Sequence, residues 1–210
     1  MNDTLLQFII LAPPLLLALT VHEFAHGYVA FRLGDPTAQA AGRLTLNPLK
    51  HLDPLGTIAF FIFHIGWAKP VPVNPVYFKN PQKDMLWVAL AGPATNLILA
   101  VVSALMVKAV WLLAQALPYS VLGESILVPL NHTLIASVWI NLVLCIFNFL
   151  PIPPLDGSRI LAGILPSGFA RHYASIERYG FILLIILAVS GVLSKMIIPL
   201  ITFANSLLLS

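Results

Sequence analysis

The sequence predicts an all-α, multi-pass membrane protein with about four to five transmembrane helices. Between the first two it predicts a short extended or β-hairpin-like insertion carrying a re-entrant or interfacial apolar piece. Three observations carry this prediction. Hydrophobic residues occupy 59% and charged residues 9% of the 210 positions, against roughly 25% charged in ordinary soluble domains. The mean hydropathy is +0.93. Four mainly apolar stretches, at roughly 4–33, 84–117, 130–150 and 178–208, exceed or match the ~20 residues that a membrane span requires.

The first stretch carries no charge from Leu5 to Val21, and Pro13-Pro14 gives it a cause for a kink. If fully helical it would reach about 45 Å at ~1.5 Å per residue, enough to tilt or to extend past the bilayer. Asp3 and the lack of Lys or Arg before it argue for a retained first helix rather than a cleaved leader. Residues 40–80 read differently. Ala41 to Pro48 alternates weakly, as a short strand would. Gly56 to Ala68 is apolar but too short to cross as a straight helix. In Lys69-Pro70-Val71-Pro72-Val73-Asn74-Pro75 the prolines preclude a helix and favour an extended path. Non-helical backbone at membrane depth is tolerated where it packs on protein or lines a watery cavity. The third span ends where Pro151, Pro153 and Pro154 break it, and the last holds Gly191, Ser194, Lys195 and Pro199, consistent with one long helix or two shorter ones. The expected organisation is a single membrane-embedded domain over 1–210, with a core at about 4–165 and accessory C-terminal helix or helices at 178–208.

Charge sets the topology. With 56–68 not crossing, Arg32, Arg43, Lys50, Lys69, Lys79, Lys83, Arg159, Arg171 and Arg178 fall on one side, nine of the eleven basic residues. The positive-inside rule makes that side cytoplasmic. The net charge of +3 therefore reads as a topology signal. No basic run is interleaved with aromatics, so nucleic-acid binding has no support. Cys145 is the only cysteine, which excludes an intrachain disulfide and a multi-cysteine zinc site.

Within the first span lies His22-Glu23-Phe24-Ala25-His26. Ionisable groups at membrane depth are costly and usually mark function. On a helix, i and i+4 share a face, so His22 and His26 can hold one metal ion, with Glu23 beside it as a base for water. Counting from His26 to Leu33 places the run roughly 10 Å below the cytoplasmic end of the helix. Two histidines do not complete a catalytic zinc site, which usually has three protein ligands and an open position. His51, Asp53, His64, Asp156, His172 and Glu177 are the cytoplasmic-side candidates. Asp156 stands out by position, after the proline-broken helix end, although Asp156-Gly157 also reads as a simple turn. Asn96, Asn141 and Asn148 fit either interhelical hydrogen bonding or contact with an unwound substrate backbone.

Taken together, His22-Glu23-xx-His26, Gly92-Pro93-xx-Asn96 and Leu155-Asp156-Gly157, all in membrane segments, resemble the site-2 protease family of intramembrane zinc metalloproteases. Gly66-Trp67-Ala68-Lys69-Pro70-Val71-Pro72-Val73 looks like its compact prokaryotic members without a PDZ domain. The resemblance implies one Zn2+ per chain on His22, His26 and Asp156, with Glu23 as the catalytic base and Asn96 and Asn148 as substrate contacts. It implies cleavage of a single-span transmembrane protein or a remnant signal peptide, near the cytoplasmic side of a prokaryotic cell membrane. The rival reading is a membrane metal-ion transporter using the same His/His/Asp site; a scaffold that keeps zinc for structure alone is a further one.

Overall fold

A computed structural model describes residues 3–63, 66–116 and 123–210, with side chains placed for all of these except 3–8, 59–63, 167, 171–172 and 174–176. Eight α-helices are formed among the described residues: α1 (Asp3–Arg32), α2 (Thr37–Ala40), α3 (Pro54–Phe63), α4 (Pro81–Ala116), α5 (Val128–Asn148), α6 (Asp156–Ile164), α7 (Ser167–Val189) and α8 (Val192–Leu209). Among the described residues four segments are long and apolar enough to cross a bilayer: Ile9–Arg32, Pro81–Ala116, Gly123–Asn148 and Val192–Leu209. The protein is a multi-pass membrane protein of helices. Its outward faces carry Trp111, Leu112, Phe181, Ile182 and Phe203, all exposed, as a surface solvated by lipid requires.

Local chemistry sets the helix ends. Asn80 Oδ1 accepts from the Lys83 N–H at 3.3 Å while Asp84 Oδ2 accepts from the Asn80 N–H at 2.9 Å, a reciprocal cap that opens α4. Asp53 Oδ1 accepts from the Gly56 N–H at 2.8 Å and starts α3. α1 continues through Pro13 and Pro14. The C-terminal stretch is two helices rather than one. The chain turns at Ser190–Gly191, where Gly191 takes φ 72°, a left-handed conformation that costs a residue with a Cβ.

α4 is the central helix, packed against α1, α5, α6 and α8. Ala100 and Ala104, one turn apart, bury their methyls against Val138 and Leu142 of α5 and Ile197 and Ile201 of α8. Water-driven burial is unavailable between helices in lipid, so close backbone approach through small residues supplies the packing.

The insertion between α1 and α4 contains no β-strand among the described residues. Its ladder is a single antiparallel bridge, Leu52 with Ala68, beside a Lys69 N–H to His51 carbonyl bond of 2.8 Å. The strand expected around 41–48 fails for a local reason. The Gly42 and Arg43 N–H groups turn back to the Gln39 and Ala38 carbonyls, both at 2.9 Å, and close off α2 instead. The apolar stretch becomes α3, ten residues long. That is about 15 Å at 1.5 Å per residue, half of a ~30 Å hydrocarbon core, so α3 alone does not cross. Residues 66–74 form no helix and meet α1 through Val71, at Glu23 and Gly27, before the turn Pro75–Tyr77.

Replacing Ala100 by Leu should destabilise the bundle by about 1–3 kcal/mol through overpacking. A lowered melting temperature in detergent is the expected result, and an unchanged one would mean that the α4–α5–α8 contact is not tight.

Candidate metal centre

His22 and His26 stand one turn apart on α1 with their rings edge to face, 4.6 Å between centroids. Their Nε2 atoms are 3.0 Å apart. Asp156, the first residue of α6, brings Oδ2 to 3.2 Å from His22 Nε2 and 3.3 Å from His26 Nε2. One ligand atom from each residue lies within 4.8 Å of the others, so the three side chains could hold a metal ion.

Two close approaches build this cluster. α4 passes directly beneath the imidazoles at Gly92, where a Cβ would sit 2.5 Å from His26 Nε2 and 2.6 Å from His22 Cε1. Only a residue without a side chain leaves that space. After α5 ends, the chain folds back so tightly that a Cβ on Gly157 would lie 2.3 Å from the Phe149 carbonyl oxygen. The Tyr173 hydroxyl of α7 donates to the Pro151 carbonyl at 2.6 Å across the outside of this turn. The result aims Asp156 at α1 from the start of a fresh helix.

The other ring nitrogens reveal the state of the histidines. His26 Nδ1 lies 2.7 Å from the Val88 carbonyl, which can only accept, so Nδ1 carries the proton. His22 Nδ1 lies 2.6 Å from Asn96 Oδ1. The Asn96 amide nitrogen donates to the Ala18 carbonyl at 3.3 Å and to Asn141 Oδ1 at 2.9 Å, which leaves its oxygen to accept from His22. In the neutral rings, the form that binds a metal, both Nε2 atoms therefore present bare lone pairs to each other. Asp156 Oδ2 is buried without a hydrogen-bond partner. Two lone pairs and a carboxylate oxygen facing one another repel unless a cation lies among them. A proton serves one pair of these atoms, whereas a metal ion serves all three. The donor set, two imidazoles and one carboxylate, matches catalytic zinc.

Glu23 sits beside this cluster, half-buried, and its Oε2 accepts the Val71 N–H at 2.8 Å. Asn96 is 0% exposed and bonded to His22, Asn141 and Ala18, so it orients a ring rather than facing an open cleft. Asn148, partly buried, donates to the Leu144 carbonyl of its own helix at 2.9 Å. Of the alternative third ligands, His51 is buried with Nε2 on the Thr45 carbonyl at 2.8 Å, Asp53 caps α3, and Glu177 is exposed. His64 and the side chain of His172 lie outside the described residues. Sequence reasoning missed the Val88 carbonyl and the Val71 N–H. Both are backbone groups, and backbone groups leave no residue signature.

Comparison with known proteins agrees with this chemistry. The profile of Peptidase family M50 matches residues 9–190. YwhC of Bacillus subtilis, a protein named as a zinc metalloprotease, is 43% identical over 189 residues, covering 88% of this chain and 82% of that protein. Rip2 of Mycolicibacterium smegmatis, also named as a zinc metalloprotease, is 32% identical over 194 residues, 90% of this chain and 70% of that one. Zinc metalloprotease MJ0392 of Methanocaldococcus jannaschii is 26% identical over 186 residues, covering 88% of this chain and 43% of its own length. No solved structure matches significantly.

Asp156→Ala should strip zinc from the purified chain under a chelator that leaves the parent loaded, while Glu23→Gln retains it. Equal retention by parent and Asp156→Ala, read by metal analysis, would remove Asp156 from the site. Gly92→Ala should likewise lower zinc per chain, because its methyl occupies the space beside His26 Nε2.

Proposed function

The chain belongs to peptidase family M50 and is a zinc metalloprotease; from that premise we propose that it hydrolyses peptide bonds of transmembrane substrate helices within the membrane. The observation that carries this reading is the convergence of His22, His26 and Asp156, with Glu23 alongside, on a helix long and apolar enough to span the bilayer. A protease serving soluble substrates gains nothing from paying the cost of charge at that depth.

In this reading His22, His26 and Asp156 would hold Zn2+, which would supply Lewis acidity toward a water and the scissile carbonyl. Asn96 and the Val88 carbonyl hold the imidazoles with Nε2 inward. Glu23 takes a proton from the attacking water and returns it to the leaving amine. The Val71 N–H bonds Oε2, and we assign the proton transfer to the other carboxylate oxygen. A substrate helix hides its own carbonyls and must unwind locally to reach this site. Asn148, at the end of α5, is the side chain we assign to the unwound substrate backbone.

The basic residues place the insertion and the 151–177 connection on the cytoplasmic side by the positive-inside rule, so cleavage falls near that face of a prokaryotic cell membrane. With α3 about half the hydrocarbon thickness in length, the insertion stays on this side as a re-entrant or interfacial piece. Substrates are then single-span proteins or remnant signal peptides, in regulated intramembrane proteolysis. The rival, a metal-ion transporter on the same three ligands, has no strict need for Glu23.

The deciding test is cleavage of single-span peptides in liposomes by parent and Glu23→Gln chains at matched zinc. Removing a general base should lower kcat by about 10²–10⁴-fold. Equal cleavage by both chains would remove Glu23 as base, and zinc flux through loaded proteoliposomes that persists in Glu23→Gln would favour the transporter.

A further inference from the structure

Asp35 is a carboxylate with 0% exposure, and the chemistry above does not use it. It lies three residues past the C-terminal end of α1, its own N–H bonded to the Ala30 carbonyl at 3.0 Å. Oδ1 accepts from the Thr37 N–H at 2.9 Å and from the Thr37 hydroxyl. Oδ2 accepts from the Asn74 N–H at 2.7 Å. Neither Asp35 nor the buried Arg43 has an ion-pair partner among the described residues. Burying a charge in that way is costly unless hydrogen bonds repay it, and here all of them go to backbone or to one neighbouring hydroxyl.

What those bonds hold is the extended segment 66–74. One end is fixed by the Leu52–Ala68 bridge, by Lys69 N–H on the His51 carbonyl, and by Arg43 Nη2 donating to the Lys69 carbonyl at 2.7 Å. The other end is fixed by Asp35 at Asn74. Between them lies Val71, whose N–H meets Glu23 and whose side chain sits over Gly27, one turn beyond Glu23. A Cβ on Gly27 would come within 3.0 Å of Val71 Cγ1, so that glycine forms the seat. Pro70 and Pro72 have no N–H. Val71 therefore carries the one backbone donor of the Pro70–Pro72 stretch, and it is aimed at the base.

We propose that Asp35 is a positioning residue for Glu23: it anchors the 66–74 segment so that the Val71 N–H fixes the rotamer of the Glu23 carboxylate and dedicates one of its oxygens. The inference rests on Glu23 acting as the base. Arg43 is the matching anchor at the other end. A base held this way is preorganised, and loss of such positioning lowers turnover without weakening substrate binding.

The test uses the zinc-loaded full chain in liposomes and reads residue-resolved hydrogen exchange at Val71 together with kinetics on a fluorogenic single-span reporter peptide. Glu23→Ala sets the exchange rate of a Val71 N–H released from its acceptor. Asp35→Asn is isosteric but loses one acceptor and sets an N–H against a backbone N–H. It should speed Val71 exchange by about tenfold, toward the Glu23→Ala value, and lower kcat by about tenfold at unchanged KM and unchanged zinc content. Arg43→Met frees the opposite end and should move the same readouts if Asp35→Asn fails to fold. Wild-type exchange at Val71 in the variants that fold would overturn the proposal. So would an unchanged kcat in Asp35→Asn when Glu23→Gln is inactive. Cleavage that survives Glu23→Gln would instead defeat the reading of Glu23 as base, and the exchange arm would still report whether Asp35 holds Val71.

Discussion

Two imidazole lone pairs and a carboxylate oxygen, all about 3 Å apart inside an apolar helix bundle, are mutually repulsive until a cation joins them. The rest of the molecule makes sense around that constraint. α4 gives up its side chain at Gly92 so that the rings can stand where they do. The Val88 carbonyl and Asn96 take the Nδ1 protons and leave the Nε2 atoms inward. The chain after α5 turns back on its own carbonyls, at Gly157, to deliver Asp156. Each device carries a steric or polar cost that only an ion at the centre offsets.

The polar groups around the site form layers that lead into the bundle. Asn96 hands its amide hydrogens to Asn141 and Ala18, and the Asn141 amide donates in turn to the Ser137 carbonyl at 2.9 Å. The direction of every bond follows from that last carbonyl, which can only accept. Ser137 and Ser103 then join α5 to α4 across 2.8 Å. Buried in lipid, such a network has no water to fall back on, so satisfying it also holds α1, α4 and α5 in register.

The insertion is the second structural theme. Its backbone bonds to two buried charged side chains, Asp35 and Arg43, and to the carboxylate at the site itself. Its apolar anchors are Phe78, buried with Ala30 and Val88, and Val73 packed beside them. The position of that segment is specified by directional bonds as well as by packing.

Apolar length alone determined the first three spanning segments and the existence of a fourth toward the C-terminus, because a bilayer demands it of any helix that crosses; the break at Gly191 that confines the fourth to Val192–Leu209 did not follow from length. The spacing of His22 and His26 determined a shared face, because 3.6 residues per turn leave no other arrangement, and the prolines at 151, 153 and 154 determined where the third span stops. Tertiary structure decided the rest. Asp156 rather than His51 reaches the histidines because a turn of specific tightness carries it there, and nothing local encodes which carboxylate arrives. Asn96 is an orienting group because three helices surround it, a fact invisible to a reading of polar residues along one helix. The alternation at 41–48 became a turn because Gly42 and Arg43 found carbonyls nearer than any partner strand. Helix periodicity is a property of neighbours in sequence and can be read there. A ligand set, a tautomer and a clamped segment are properties of neighbours in space, and they exist only once the chain has closed on itself.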